Sequence, residues 1–351
     1  MKTAKYRLLF PVFLGECGCP LRGGHRSNFL LYKAMREQFS VSADFSICEH
    51  TVDVGKIKVN GQLAKLFRYW LMFFAPIKDY FRGTEDTYIT GTTGILIFGI
   101  LSKFFDLRFI AVCRDTVFLG VDKHDLLSRL RFKFMLSGLK AAKVLVVNSA
   151  FLKNEYENLI PDKNIFVIYP EIVTTFTNIG PAEAVSFRKI GFVGAQEPKH
   201  DKGYRIIEEL ALVYPEYEFH IFGDCKNHFS KLCVNMIFRG WTPEDEMYSS
   251  VDLMIVPSVW AEPFGRVAAE AISKGVPVFS SDVGGLCEIV PAQFRLAPTS
   301  DAWIKSFQVL IDSVLAGDYE VVFSEFKKNR RFSAETVYCE FFEHLQKEDE
   351  T

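Results

Sequence analysis

Two carboxylates, Glu262 and Glu270, stand on either side of a glycine in the run Pro257-Ser-Val-Trp-Ala-Glu262-Pro-Phe264-Gly265-Arg266-Val-Ala-Ala-Glu270-Ala. An apolar run ends at Pro257, a loop follows, and a helix is expected over 266–274. Gly275 then fits a left-handed cap before Val276-Pro-Val opens the next strand. A helix N-terminus presents unpaired N–H groups and the positive end of a dipole, which suits a phosphate or a polarised sugar. Gly265 lets a ligand approach the backbone with no side chain in the way. Carboxylates accept strong hydrogen bonds from vicinal hydroxyls, so both glutamates suit one bound sugar nucleotide. Taken singly, Glu262 fits a helix cap and Glu270 a solvated face equally well.

The glutamates close an ordered series. Gly191-Phe-Val-Gly194 comes first, then Lys202-Gly203, Phe222-Gly223-Asp224 and Gly240-Trp241. Ser281-Asp-Val-Gly284-Gly285-Leu-Cys-Glu288 follows them. This succession over about 190–290 resembles the C-terminal domain of glycosyltransferase family 4, whose members are retaining enzymes with the GT-B fold. The resemblance implies that Glu270 holds the donor ribose and Glu262 the donor sugar. It implies further that the backbone at Phe264 and Gly265 meets the sugar hydroxyls and phosphate. Gly194 would lie beside the diphosphate, Lys202 on it, and Trp241 with Thr242 beside the base. Lys202 directly precedes helix-opening Gly203, so a cation and a helix terminus point at the same anion. A charge-assisted contact of that kind is worth roughly 1.5–3 kcal/mol.

One position departs from the pattern. The family usually has an arginine directly after the glycine equivalent to Gly194, and here Ala195 stands there. Lys199, Arg205 and Arg266 are candidates for the missing charge, and spacing does not choose among them.

The first half resembles the family more loosely. A glycine-rich loop, Gly15-Glu-Cys-Gly-Cys-Pro-Leu-Arg-Gly23-Gly24, follows a strand expected over 8–14 and leads to a helix over 27–38. Gly23 and Gly24 fit either an approach to the donor diphosphate or a tight turn. Arg114-Asp115 falls at a strand end where many members carry His-Asp, and reads as an acceptor-orienting pair or a structural ion pair. The segment 63–82 mixes Phe67, Tyr69, Trp70, Phe73, Phe74 and Phe81 with Lys65, Arg68, Lys78 and Arg82. Such a mixture suits peripheral contact with a membrane, or a core helix with snorkelling cations.

Elements able to position these residues alternate in both halves. Strands are expected at 87–90, 109–112 and 144–148, then at 189–193, 218–222, 236–238, 253–257 and 277–280. Helices are expected at 203–213, 243–250 and 334–346, with a buried one over 95–105. Such alternation implies an α/β fold with parallel sheets covered on both faces. We expect the GT-B architecture, two Rossmann-like domains facing a central crevice. The first spans 1–175 and the second 176–330, and the helix in 331–351 packs back on the first. The linker is placed at 172–188, where periodicity disappears.

The 351 residues suffice for two cores, and 49% hydrophobic with 24% charged residues describes a globular chain. Residues 1–171 hold 24 Lys+Arg against 16 Asp+Glu, whereas 172–351 hold 17 against 27. The basic half suits an anionic partner such as lipid headgroups or phosphorylated carriers. The 8 cysteines form no Cys-x-x-Cys pair and read mainly as core residues of a reducing compartment. The residues near Met1 show no leader pattern, and a cytoplasmic protein is expected, at the inner face of the membrane if 63–82 engages lipid. No cofactor, bound metal or nucleic-acid partner is expected. The partners are a nucleotide-sugar donor and a glycan or glycolipid acceptor. Two alternatives stay open: a sugar-nucleotide epimerase of the same architecture and an inactive GT-B scaffold. A nicotinamide-dependent oxidoreductase is disfavoured, because neither glycine cluster reads G-x-G-x-x-G.

Overall fold

The computed structural model describes residues 6–9, 27, 30–31, 33–35, 41–42, 46–48, 51–54, 57–60, 62–84, 86–116, 126–172, 187–194, 201–230 and 233–349. The chain divides into a unit of Met1–Glu171 with Val337–Thr351 and a unit of Ile172–Thr336.

The strands of the first unit are β1 (Tyr6–Leu9), β2 (Val41–Ser42), β3 (Ser46–Cys48), β4 (Thr51–Val54), β5 (Ile57–Asn60), β6 (Thr87–Thr90), β7 (Phe109–Cys113), β8 (Val144–Val147) and β9 (Ile165–Val167). Its helices α1 (Gln62–Phe81), α2 (Thr92–Leu101), α3 (Leu126–Ala141) and α4 (Ala150–Leu159) alternate with the later strands. Six strands form one parallel sheet in the order β2-β1-β6-β7-β8-β9. β6, β7 and β8 are buried throughout, as their apolar runs require of strands covered on both faces. Side chains from α1 to α4 fill one face, among them Met72, Ile95, Phe98, Met135, Leu139 and Tyr156. The opposite face buries Tyr6, Leu8, Ile89 and Ile110 against Leu31, Met35, Phe341, Phe342 and Leu345. Arg7 of β1 bonds Asp79 of α1 and, at 3.0 Å, Asp86, while the Tyr88 hydroxyl donates to Asp79 at 2.8 Å.

In the second unit, β10 (Lys189–Val193), α5 (Tyr204–Val213), β11 (Glu218–Phe222), β12 (Met236–Gly240), α6 (Glu244–Ser249), β13 (Leu253–Val256), α7 (Arg266–Ser273), β14 (Val278–Ser281) and β15 (Arg295–Leu296) alternate in turn. Helices α8 (Ser300–Leu315) and α9 (Glu320–Lys328) follow, and α10 (Ala334–Asp349) carries the chain back into the first unit. The sheet is parallel, in the order β12-β11-β10-β13-β14-β15. Phe307 of α8 packs its ring against Phe219 and Phe279 of the sheet and Tyr214 at the end of α5. Strand order reverses between β10 and β13, and ligands of such sheets bind outside the carboxyl ends at that point.

The helix expected over 95–105 begins at Thr92 and ends at Leu101, with Lys103 and Phe104 exposed beyond it. Ile172, expected in the linker, is buried and its N–H donates to the Phe332 carbonyl at 2.9 Å; 173–186 lie outside the described residues. The antiparallel sheet β3-β4-β5 and helices α8 and α9 have no counterpart in the sequence reading.

Candidate functional site

The carboxyl ends of β10 and β13 carry the two loops that flank the strand-order reversal. In the first, Asp201 accepts from the Gly203 N–H at 2.8 Å, and Gly203 opens α5. In the second, Ser258 and Glu262 follow β13, and Gly265 opens α7. The loops are stitched together, because the Val259 N–H donates to the Asp201 carbonyl at 3.0 Å. Gly203 (φ +84) and Gly265 (φ +95) both hold the left-handed conformation at a helix start, where a side chain costs strain. Space closes the argument for each. A Cβ on Gly203 would collide with the Pro257 carbonyl, and one on Gly265 would sit 2.5 Å from Leu286 Cδ2.

Glu262 is nearly buried and fully engaged. Its Oε1 accepts from Lys202 Nζ at 2.5 Å and from the Ser258 hydroxyl at 2.6 Å. Its main-chain carbonyl accepts from Gly285 N–H at 2.7 Å, which brings the Gly284-Gly285 loop to the same place. Lys202 also lies 5.5 Å from the centre of the Trp260 ring, a cation–π contact. Glu270, on the first turns of α7, accepts from Arg266 at 2.5 Å and from the Tyr248 hydroxyl at 3.1 Å. Burial, and then the charge of Glu270, push the Tyr248 hydroxyl well above its ordinary range, so it remains a donor at neutral pH.

The site is thus two ion pairs, Lys202–Glu262 and Arg266–Glu270, beside a helix start. Each cation is matched by a carboxylate, so an arriving anion must exchange partners with Glu262 or Glu270. Removing one member of such a partly exposed pair costs about 1–3 kcal/mol, because the other is left without its charge-assisted bond.

Of the candidates for the charge missing at Ala195, Arg266 stands at the site, paired with Glu270. Arg205 lies on the exposed flank of α5, paired with Glu209 at 2.8 Å. Ala195 and Lys199 lie outside the described residues, as do Gly23 and Gly24. Gly194 directly follows β10, and its N–H donates to the Phe222 carbonyl at 3.0 Å. A Cβ there would meet Cys225, whose thiol burial pushes up to about 11. Trp241 is 65% exposed and follows β12 directly, with Thr242 beside it. The Phe264 side chain is buried against Phe332.

Arg114 and Asp115 belong to the first unit, at the carboxyl end of β7. Asp115 accepts from the Thr92 hydroxyl at 2.9 Å, and the Tyr156 hydroxyl reaches its main-chain carbonyl at 3.4 Å. Arg114 lines a cleft with Ser27, Glu171 and Tyr338. Ser258, Asp201, Trp260 and Tyr248 complete the second-unit site without having been singled out in the sequence. Ser258 and Trp260 lie inside the Glu262 motif, and only their contacts distinguish them from neighbouring loop residues.

Two parallel sheets, each alternating with helices, define the class of Rossmann-like α/β folds. Residues 187–313, within the second unit, match the family described as Glycosyl transferases group 1. The whole chain has the GT-B fold. It superposes on sucrose-phosphate synthase from Thermosynechococcus elongatus with a TM-score of 0.70 at 15% identity, covering 98% of each chain. On Anabaena Alr3699/HepE in complex with UDP the TM-score is 0.68 at 17% identity, covering 98% of this chain and 100% of that one. Among curated relatives, an uncharacterized 42.6 kDa protein in the cps region of Klebsiella pneumoniae is 33% identical over 37% of this chain and 36% of its own length. The 2-deoxystreptamine glucosyltransferase of Streptomyces kanamyceticus is 34% identical over 29% of each. The matched stretch is therefore a minor part of both relatives. Among the described residues, no helix is long and apolar enough to cross a membrane.

Proposed function

We propose that the chain is a glycosyltransferase that moves a sugar from a nucleotide diphosphate to a glycan or glycolipid acceptor, with the configuration at the anomeric carbon retained. The observation that carries this is the buried Glu262, held by Lys202 and Ser258 beside the left-handed Gly265 that opens α7. Glu270 takes the ribose hydroxyls and Glu262 the hydroxyls of the donor sugar. Lys202 and Arg266 turn from their carboxylates to the diphosphate, with the N–H groups at the start of α7 beside them. Gly194 and the Phe264–Gly265 backbone lie beside the same group, and Trp241 with Thr242 borders the base. Arg114 and Asp115 orient the acceptor.

In the reaction the bond between the anomeric carbon and the diphosphate oxygen breaks, and an oxocarbenium-like centre forms. The acceptor hydroxyl bonds to that carbon on the face the diphosphate leaves, and its proton passes to the departing diphosphate. The protein supplies positioning and fixed charge, the kind of stabilisation whose loss costs about 10²–10³ in rate. Charge on the leaving group is carried by Lys202, Arg266 and the helix start, so activity is expected to survive a chelator. Two relatives named as proteins of a cps region favour a polysaccharide or its lipid-linked precursor as acceptor.

The test is release of nucleotide diphosphate from a panel of UDP- and GDP-sugars, with the product's anomeric configuration read by NMR. A retained configuration and loss of release in Glu262→Gln are expected. An inverted product, or unchanged release in the variant, would contradict the assignment.

A further inference from the structure

Segment 63–82 is where the sequence mixes aromatic residues with cations, and the described side chains of α1 divide by face. Met72 and Pro76 are buried, Phe73 and Ile77 pack on the core, and Trp70, Phe74, Tyr80 and Phe81 are exposed with Lys78 and Arg82. A second helix of the same layer carries the pattern further. In α3, Met135, Gly138 and Leu139 face the core, while Leu126 and Leu127 are 73% and 77% exposed and Leu130 is exposed beside them. At 100° per residue, Leu126, Leu130, Phe134 and Leu127 form one outward strip. Arg129, Lys133 and Lys140 run along one flank of that strip and Arg131 along the other, all exposed, and α3 contains no Asp or Glu.

The two helices are joined by the loop after α2. Phe105 meets Tyr80 and Phe81 at 5.2 and 6.1 Å between ring centroids, and Lys103 lies 4.9 Å over the Phe134 ring. Phe104, between them in sequence, is exposed. Backbone packing fixes α3 in place, since a Cβ on Gly138 would collide with the Ile95 carbonyl and one on Gly99 with that of Phe134. The result is an outward apolar strip on a rigid helix, flanked by cations on both sides.

We infer that this face of the first unit, centred on α3 and continued by Phe104 and Phe81, docks on an anionic lipid bilayer. The leucines and phenylalanines enter the headgroup–acyl boundary while Arg131, Lys133 and Lys140 lie over the anionic headgroups. Charge complementarity selects this occupant. A protein partner or a second copy of the chain would have to bring carboxylates to meet these cations, whereas an anionic bilayer presents them everywhere. The surface lies in the first unit and Lys202, Glu262, Arg266 and Glu270 in the second, so the inference stands or falls apart from the donor reading.

The test is sedimentation of the full chain with vesicles of phosphatidylcholine alone or mixed with phosphatidylglycerol, beside calorimetric binding of UDP to the same samples. The wild-type chain is expected to pellet with the mixed vesicles, less so as salt is raised. The variant Leu126→Ser/Leu127→Ser/Leu130→Ser is expected to lose vesicle partition at least about tenfold. Arg131→Gln/Lys133→Gln is expected to lose roughly tenfold on mixed vesicles and little on neutral ones. Val309→Ser, which alters an exposed valine of α8 in the second unit, serves as the control and should leave partition unchanged. UDP binding and thermal unfolding should stay as in the wild type in all three. Equal pelleting on neutral and anionic vesicles, or an unchanged leucine variant, would overturn the inference. So would a wild-type dimer that ignores vesicles and falls to a monomer in the leucine variant.

Discussion

Glu262 illustrates how much of the site lies in individual side chains and how much in their contacts. Its carboxylate ends a short chain of charge-assisted bonds, Lys202 on one side and Ser258 on the other. Glu262→Gln keeps the shape and removes the charge, so Lys202 loses its ion-pair partner. We expect a fall in melting stability of about 1–3 kcal/mol, measured by denaturant titration, together with loss of turnover. Tyr248→Phe should separate positioning from charge. It removes the hydroxyl that donates to Glu270, at a cost of about 1 kcal/mol, and should weaken nucleotide binding while the rate at saturation stays nearly unchanged. A split between KM and kcat of the opposite kind would show that Tyr248 acts on the reacting atoms. At this scale residue type and spacing picked out Lys202, Glu262 and Glu270, and the structure places them on the two neighbouring loop and helix starts of the second unit. Tyr248 and Asp201 were not legible, because their roles depend on contacts between separate loops and a helix. The pairing of Lys202 with Glu262 joins residues 60 positions apart and was equally hidden.

Among the elements, α7 does most to set the site. It begins at a glycine in the left-handed region and carries Arg266 and Glu270 one turn apart. Gly265→Ala would combine an unfavourable φ, about 1–2 kcal/mol, with a Cβ pressed against Leu286. The expected outcome is a lowered melting temperature and weaker nucleotide binding, whereas Gly317→Ala, also at positive φ but with open space around it, should show strain alone. Strands β6 to β8 and β10 to β14 were legible because strands buried on both faces read as short continuous apolar runs between turn signals; β2, β9 and β15, two or three residues long, were not, and β1, expected over 8–14, begins at Tyr6. The β4–β5 hairpin had a signal that went unread. Thr51-Val-Asp-Val and Ile57-Lys-Val-Asn alternate strictly across a two-residue Gly-Lys connection, and Val54 pairs with Ile57. The end of α2 was misjudged because Phe104 and Phe105 continue the apolar run past Leu101. Apolar composition does not tell a buried turn of helix from an exposed aromatic loop.

At the scale of the molecule, two cores of similar construction carry buried tyrosines. Tyr88 and Tyr156 lie in the first unit, Tyr248 and Tyr319 in the second, and burial raises each hydroxyl above the ordinary value of 10.0. Each therefore binds its proton more tightly folded than unfolded. That contribution is complete below pH 10 and is lost as the pH climbs above it. Thermal unfolding should accordingly be insensitive to these groups at neutral pH and fall steeply in alkali. Tyr319→Phe should soften the alkaline fall while costing about 1 kcal/mol at neutral pH through its lost bond to Val278. The division into two α/β units was legible from strand–helix alternation. The return of α10 to the first core was an expectation drawn from the architecture, and its physical basis is the burial of Phe341, Phe342 and Leu345 in one cluster with Ile110, Val144 and Val146, beside the stacking of His344 on Phe166.

The central claim is that the second unit binds a nucleotide diphosphate sugar through Lys202, Glu262, Arg266 and Glu270. Calorimetric titration of the full chain with UDP, GDP and their sugars, beside Glu270→Gln and with a chelator present, addresses it directly. The account predicts saturable binding of one base class that survives the chelator and weakens about tenfold or more in the variant, the loss of one charge-assisted bond. Absence of binding by any nucleotide sugar, or binding indifferent to Glu270, would contradict it.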